Sequence, residues 1–282
     1  MKGPKVGIVG CGVVGKVHQE AFLAANIETV VFDKYNPQYS RSAQADAVNG
    51  CDLVFIAVPT PSRPDGSCNV TAVEEVVGWV NRPMCIKSTI PPGTTDRLVA
   101  ATGKQIVFSP EYTGETVFHP HKSRLSMDIV AVGGRKDVAD LTVSVYSQVL
   151  GPDPVYLITN SVTAELSKYM ENCFFATKVA FVAQFFQLAQ TFGADFTTMR
   201  EIWTADARVG RSHSTIVGSP GFSGRCLPKD LSAILSAASA AGCKTPLLDV
   251  VDSFNRSLRD DLDCLGQLDS QEPLASLEGT YR

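Results

Sequence analysis

The sequence predicts an α/β protein: a Rossmann-type, doubly wound parallel sheet followed by an all-helical region built on one long central helix. Two observations carry this. Over roughly the first 160 residues, short β-branched apolar runs alternate with helical patterns, the signature of a parallel sheet covered by helices. From Ser161 to Gly193 the alternation gives way to one long apolar helical pattern.

The chain has 282 residues, 44 % of them hydrophobic and 19 % charged, enough to bury a core as one large or two modest domains. A formal charge of -4 without a dense Lys/Arg run argues against nucleic acid or an anionic membrane surface as a partner. The opening MKGPKVGIVG runs directly into a strand pattern, so no secretory leader is expected. Lys178 and Gln184 interrupt the apolar run CFFATKVAFVAQFF, which reads as a buried helix and not a membrane span. Eight scattered cysteines without a secretory context point to a reduced, cytoplasmic chain, and no metal site is expected.

Taken in order, Lys5 to Gly10 is a strand ending in the turn Gly10-Cys11-Gly12-Val13-Val14-Gly15, which opens a helix through Ala25. This is GxGxxG between strand and helix. The first glycine makes the turn, the second lets a pyrophosphate approach, and the third lets helix pack on strand. ETVVFDKY is the next strand, and Asp33 at its end stands where a carboxylate accepts both ribose hydroxyls of NAD; Lys34 beside it leaves NADP as the alternative. The strand Asp52–Val58 opens into PTPSRPDGS, at the strand end where open sheets hold ligands. A helix over about 70–80, a strand over 84–88, a helix after Pro92-Gly93 and a strand over 105–108 follow. Two more polar loops, KSTIPPGTT and SPEYTGET, stand at strand ends. Strands near 127–132 and 154–158 bracket a helix and close the first domain. The expected division is residues 1–158 for NAD binding, 159–266 for a helical central domain and 267–282 for a loose tail.

The run Ser161–Gly193 is roughly 50 Å of helix, apolar around much of its circumference, so a homodimer through it is expected. Lys168 and Asn172, four apart, share one of its faces. A short helix near 197–204, a loop over 208–224 and helices over 228–240 and 247–265 complete the chain. Just ahead of Pro228, in PGFSGRCLPKDL, stands Cys226. A thiol at a helix N-terminus is favoured as thiolate and so as a nucleophile; the plainer alternative is a buried cysteine at a Gly-rich turn.

Six stretches, GCGVVG, IAVPTPS with a following DGS, KSTIPPGTT, SPEYTGE, AELSKYMEN and GFSGRCLPKD, occur in one order over residues 1 to about 265. Together they resemble the UDP-glucose/GDP-mannose dehydrogenase family. The resemblance implies Cys226 as nucleophile, Lys168 and Asn172 as the pair on the reacting oxygen, and Asp230 as the carboxylate that handles water or protons. It implies Glu111 as an acid/base that, with Thr89, orients the hydrolytic water. NAD would be held by Gly10 to Gly15, Asp33, Lys34, Val58, Pro59, Thr60, Pro61, Ser62, Ser88, Glu115 and Lys229. The sugar would be held by Glu111, Tyr112, Glu115, Lys168, Asn172 and the loop Val217–Gly224, above all Gly221, Phe222, Ser223 and Gly224.

The chain departs from the family in having Ser223 where a glycine is usual, and the basic position that the family expects after Asp33 is not evident. Only 52 residues follow Asp230, too few for a further domain, so a short form without the family's nucleotide-sugar-binding C-terminal domain is expected. Arg208, Arg211 and Lys122 are either local charge for a phosphate or solvated surface. The favoured expectation is an NAD-dependent, four-electron oxidation of a nucleotide sugar or sugar phosphate through a Cys-bound thiohemiacetal and thioester. The alternatives are a two-electron 3-hydroxyacid-type dehydrogenase and a non-catalytic NAD-binding remnant.

Overall fold

The computed structural model describes residues 3–112, 125, 127–216, 218 and 220–265, with side chains placed to residue 259. It divides into two compact units, Met1–Tyr169 and Met170–Arg282.

The first unit holds a seven-stranded sheet in the order β2-β1-β3-β4-β5-β6-β7. β1 (Val6–Val9), β3 (Leu53–Ile56), β4 (Met84–Ile86) and β5 (Ile106–Phe108) are buried throughout, as parallel strands covered on both faces must be. β2 (Thr29–Phe32) pairs in parallel outside β1. α1 (Val13–Ala24), α3 (Thr71–Trp79), α4 (Thr94–Thr102) and α5 (Lys136–Leu150) make the crossovers. The core joins Ile8, Phe22, Phe55, Val107, Val132 and Tyr146 across the sheet and its helices.

Two features differ from the expected pattern. β6 (Ile129–Gly134) pairs antiparallel to β5, and β7 (Val155–Thr159) runs parallel to β6, so β6–α5–β7 is a strand–helix–strand unit attached in reverse. The sheet is therefore mostly, not wholly, parallel; an apolar run of six residues reads the same in either direction, and only its pairing decides. The helix α2 (Ser42–Val48) also forms in a segment without apolar periodicity, buried chiefly through Val48.

α6 (Ser161–Phe192) is continuous over 32 residues, as its sequence implies. Its beginning belongs to the first unit, where buried Glu165 accepts the Gly93 and Thr95 N–H groups at 2.6 and 2.9 Å and the Thr95 hydroxyl at 2.7 Å. Glu165 so supplies the cap that α4 lacks locally, a negative group at its positive end. In the second unit α7 (Phe196–Thr204), α8 (Leu227–Ala240) and α9 (Pro246–Leu265) join the rest of α6, with a core of Cys173, Ala176, Ala180, Phe222, Leu231 and Val251. Among the described residues no helix is long and apolar enough to cross a membrane.

Candidate functional site

Because β1 to β5 are mutually parallel, their carboxyl ends open on one edge, and the loops singled out by sequence after β1, β3, β4 and β5 leave from it. Gly10 has φ +93°, and a Cβ there would lie 2.4 Å from the Ala57 carbonyl. A Cβ on Gly15 would lie 1.9 Å from the Gly10 carbonyl, so helix and strand meet only because both residues lack one. Gly12, at the N-cap of α1, has no atom within 4 Å of such a position. A cradle of this shape fits a dinucleotide pyrophosphate at the helix N-terminus. Val13 and Val14 form the first turn of that helix.

Asp33 binds the turn together. Its carboxylate accepts the Cys11 N–H at 2.6 Å on one oxygen and those of Tyr35 and Asn36, at 2.9 and 3.1 Å, on the other. The Cys11 thiol is half-buried, which pushes its pKa up. Lys34 pairs with Glu75 at 2.9 Å, a bond that raises the lysine pKa. A 2'-phosphate would meet the Asp33 carboxylate there, while the Lys34 ammonium is engaged by Glu75, so this edge suits NAD.

Loops at the ends of β3 and β4 are tied to each other. Ser88 donates its hydroxyl to the Val58 carbonyl at 2.7 Å, and buried Thr60 donates to the Thr89 carbonyl at 2.8 Å. Pro59 and Pro61 stiffen the intervening turn, and Ser62 bridges to Cys68.

Beyond β5, Glu111 is buried with its Oε2 atom 3.6 Å from both Lys87 Nζ and His18 Nε2. Lys87 is itself buried and donates to the Ser109 hydroxyl at 3.1 Å and the Pro110 carbonyl at 2.9 Å, which holds the SPE turn by both residues before Glu111. His18 faces the Val14 carbonyl through Nδ1 and the Tyr146 hydroxyl through Nε2, both at 2.9 Å. A carbonyl only accepts, so Nδ1 carries the proton of the neutral ring and Nε2 accepts from Tyr146. Burial lowers the His18 pKa and raises that of Tyr146 well above its ordinary value. Cys85 behind them is pushed up to about 12 by burial and is inert. Tyr112, next along, lies under the Lys168 ammonium, 4.9 Å from ring centre to Nζ.

In the second unit, Cys226 is exposed, at the N-cap of α8, with Pro228 in the helix's first turn. Asp230, four residues on, is buried. One carboxylate oxygen accepts the Asn172 amide at 2.5 Å and the other the Lys229 ammonium. An amide nitrogen has two N–H groups, and Asp230 needs only one. Gly221 and Gly224 have left-handed φ of +93° and +81°, and Ser223 is exposed, but the Phe222 side chain is part of the core.

Arg208 pairs with Asp206, and Arg211 with Glu201 and the Thr204 hydroxyl, so both are engaged as surface ion pairs. Glu115, Val217 and Lys122 lie outside the described residues. His18, Lys87, Glu165 and Asn255 were not singled out by sequence, although Lys87 and Glu165 fall inside quoted stretches. A polar residue at a core position of a helix carries no mark of its partner.

Comparison with known proteins agrees with this geometry. Residues 34–150 match the NAD binding domain, and residues 162–257 the central domain, of the UDP-glucose/GDP-mannose dehydrogenase family. A UDP-glucose 6-dehydrogenase of Pseudomonas aeruginosa is 31 % identical over 243 residues, covering 79 % of this chain and 53 % of the relative. One from Rickettsia prowazekii is 33 % identical over 195 residues, covering 65 % and 44 %. This chain thus spans about half the length of these relatives. The solved UDP-glucose dehydrogenase of Pyrobaculum islandicum superposes with a TM-score of 0.80 at 27 % identity, covering 95 % of this chain and 72 % of that one. On both domains and in the order of its motifs, the chain belongs to the UDP-glucose/GDP-mannose dehydrogenase family.

Proposed function

We propose that the protein is an NAD-dependent dehydrogenase that oxidises the primary alcohol of a UDP-glucose-like nucleotide sugar to a carboxylate, removing two hydrides. When bound, NAD supplies the hydride acceptor for each oxidation. The glycine cradle and Asp33 would hold it, with the Val58–Ser62 and Ser88 loops beside it. Alcohol oxidation yields an aldehyde, and the Cys226 thiolate adds to its carbon to form a thiohemiacetal. Lys168 and Asn172 stabilise the oxyanion at each tetrahedral stage. Loss of a second hydride leaves a thioester, and water cleaves the C–S bond to release the acid and return the thiol. Glu111, with Thr89, orients that water and takes its proton, and Asp230 serves proton transfer at the cysteine. Balance requires one water and two NAD per carboxylate.

The arrangement of residues that carries this reading lies within the second unit: an exposed cysteine at a helix N-terminus, followed by a buried carboxylate that holds the Asn172 amide. A two-electron dehydrogenase has no use for that cysteine. α6 also presents Met170, Phe174, Phe181, Phe185, Leu188 and Phe192 to solvent, at spacings of four, seven, four, three and four residues. We take this stripe to seat a second copy of the chain.

The test is stoichiometry with UDP-glucose, GDP-mannose and free sugar phosphates. Two NADH per acid, and loss of acid formation in Cys226→Ala by at least about a thousandfold, support the reading. One NADH per turnover, or a Cys226→Ala variant that still makes acid at the native rate, overturns it. Intact NAD binding without turnover across the panel also overturns it.

A further inference from the structure

Asn255, on α9, is buried, and its side-chain amide bonds the backbone of one residue twice. Its Oδ1 accepts the Phe222 N–H at 2.7 Å, and its amide nitrogen donates to the Phe222 carbonyl at 3.1 Å. A side-chain amide thus stands where a neighbouring strand would, satisfying the donor and the acceptor of Phe222 together. Two bonds to one residue restrict both of its backbone dihedrals. The Phe222 ring is fixed separately, in the core among Cys173, Ala176, Leu231 and Val251. Phe222 is therefore held by main chain and by side chain.

Gly221 is fitted to the same asparagine. Its φ of +93° favours glycine, and a Cβ there would fall 2.7 Å from Asn255 Oδ1. Downstream, Ser223, Gly224, Arg225 and Cys226 are all exposed, and Leu227 begins α8. That helix is secured by buried Leu231 and by Asp230 with its two partners. Ser223–Cys226 is thus a four-residue arch with anchored ends, one of them Asn255.

We propose that Asn255 is a positioning residue: through the Phe222 backbone it sets the arch that presents Cys226, without itself touching the reacting atoms. The catalytic part rests on Cys226 being the nucleophile; the anchoring part does not. An unbonded Phe222 N–H and carbonyl in a closed core would be costly, so without the amide the loop must move toward water to satisfy them. The arch then loses one end.

Three measurements on the full chain test this. In the native protein, hydrogen exchange should protect the Phe222 amide at least a hundredfold over those of Ser223 to Arg225; equal exchange overturns the anchor. In Asn255→Ala, tryptic cleavage after Arg225 should rise about tenfold while cooperative unfolding and NAD binding persist; an unchanged cleavage rate in the folded variant overturns it. Asn255→Asp keeps the acceptor but donates to the Phe222 carbonyl only when protonated. Its cleavage, as a ratio to native protein at each pH, should fall as pH drops from 8 to 6; a flat ratio above one overturns the donor's part. With the sugar substrate, kcat of Asn255→Ala should fall at least tenfold with KM for NAD unchanged; native kcat beside a loosened arch overturns the link to Cys226. Should Cys226→Ala remain active, the nucleophile assignment fails while the exchange and cleavage results still decide the anchor.

Discussion

At the scale of the residue, the three glycines of the first turn have separable duties. Gly15→Ala places a methyl group 1.9 Å from a carbonyl in the closed joint of α1 and β1, so the joint must open. We expect it to cost more than about 2 kcal/mol in unfolding free energy, with NAD affinity falling at least tenfold. Gly12→Ala meets no atom within 4 Å, so its unfolding free energy should change by less than about 1 kcal/mol while NAD affinity still falls severalfold. Urea melts and quenching of NADH fluorescence check the pair, and equal stability losses in the two variants would refute the division of roles. The motif was legible because glycine leaves a mark wherever backbone must approach backbone. Asp33 was legible by its spacing, but its three bonds to the turn and the following loop were not. His18 left no mark at all, since its partner Tyr146 is 128 residues away.

At the scale of the element, α6 carries two kinds of surface. One side is buried through Ala164, Tyr169, Cys173, Ala176, Ala180 and Ala183, and another bears the exposed stripe, with Phe174 59 % and Phe192 81 % accessible. A monomer gains nothing by leaving so many large apolar groups in water. Light scattering on the native chain should give the mass of a dimer. Phe181→Glu with Phe185→Glu should shift it to the monomer at micromolar concentration, since burying two charges on each copy is costly; a monomeric native chain would refute the stripe's assignment. The length and position of α6 could be read in advance because 32 residues without glycine or proline continue one helical pattern. β6 was legible as a strand and illegible in direction. The short α2 was illegible because only Val48 of its seven residues is buried.

At the scale of the whole molecule, two buried groups make stability depend on pH in opposite senses. Burial lowers the His18 pKa below its ordinary 6.5. Between that lowered value and 6.5 the unfolded chain binds a proton that the folded one does not, so stability falls as pH falls below about 6.5. Burial raises the Glu165 pKa above its ordinary 4.5, against the hydrogen bonds from Thr95 and Gly93 that favour the carboxylate. Between 4.5 and the raised value the folded chain binds the extra proton, so this group gains stability as pH falls. The contribution of His18 begins to be lost as pH falls through about 6.5. In the unfolding free energy from urea melts, the His18 share should decline between pH 7 and 5.5 with a slope of up to about 1.4 kcal/mol per pH unit, the value for one proton. His18→Gln should flatten that decline, and an unchanged slope in the variant would refute the assignment to His18.

Sequence alone determined the alternation of strand and helix, the glycine turn, the acid at the end of β2, the long helix and the order of the family's motifs. Each of these is local: a period, a spacing or a residue whose backbone freedom is its purpose. Tertiary structure decided the reversal of β6, the burial of Phe222, the closing of α4 by Glu165, the buried group around Glu111 and the hold of Asn255 on the loop before Cys226. All of these are pairings between distant segments. A hydrogen-bonding side chain writes its own chemistry into the sequence but not its partner, and the partner is settled only when the chain has folded.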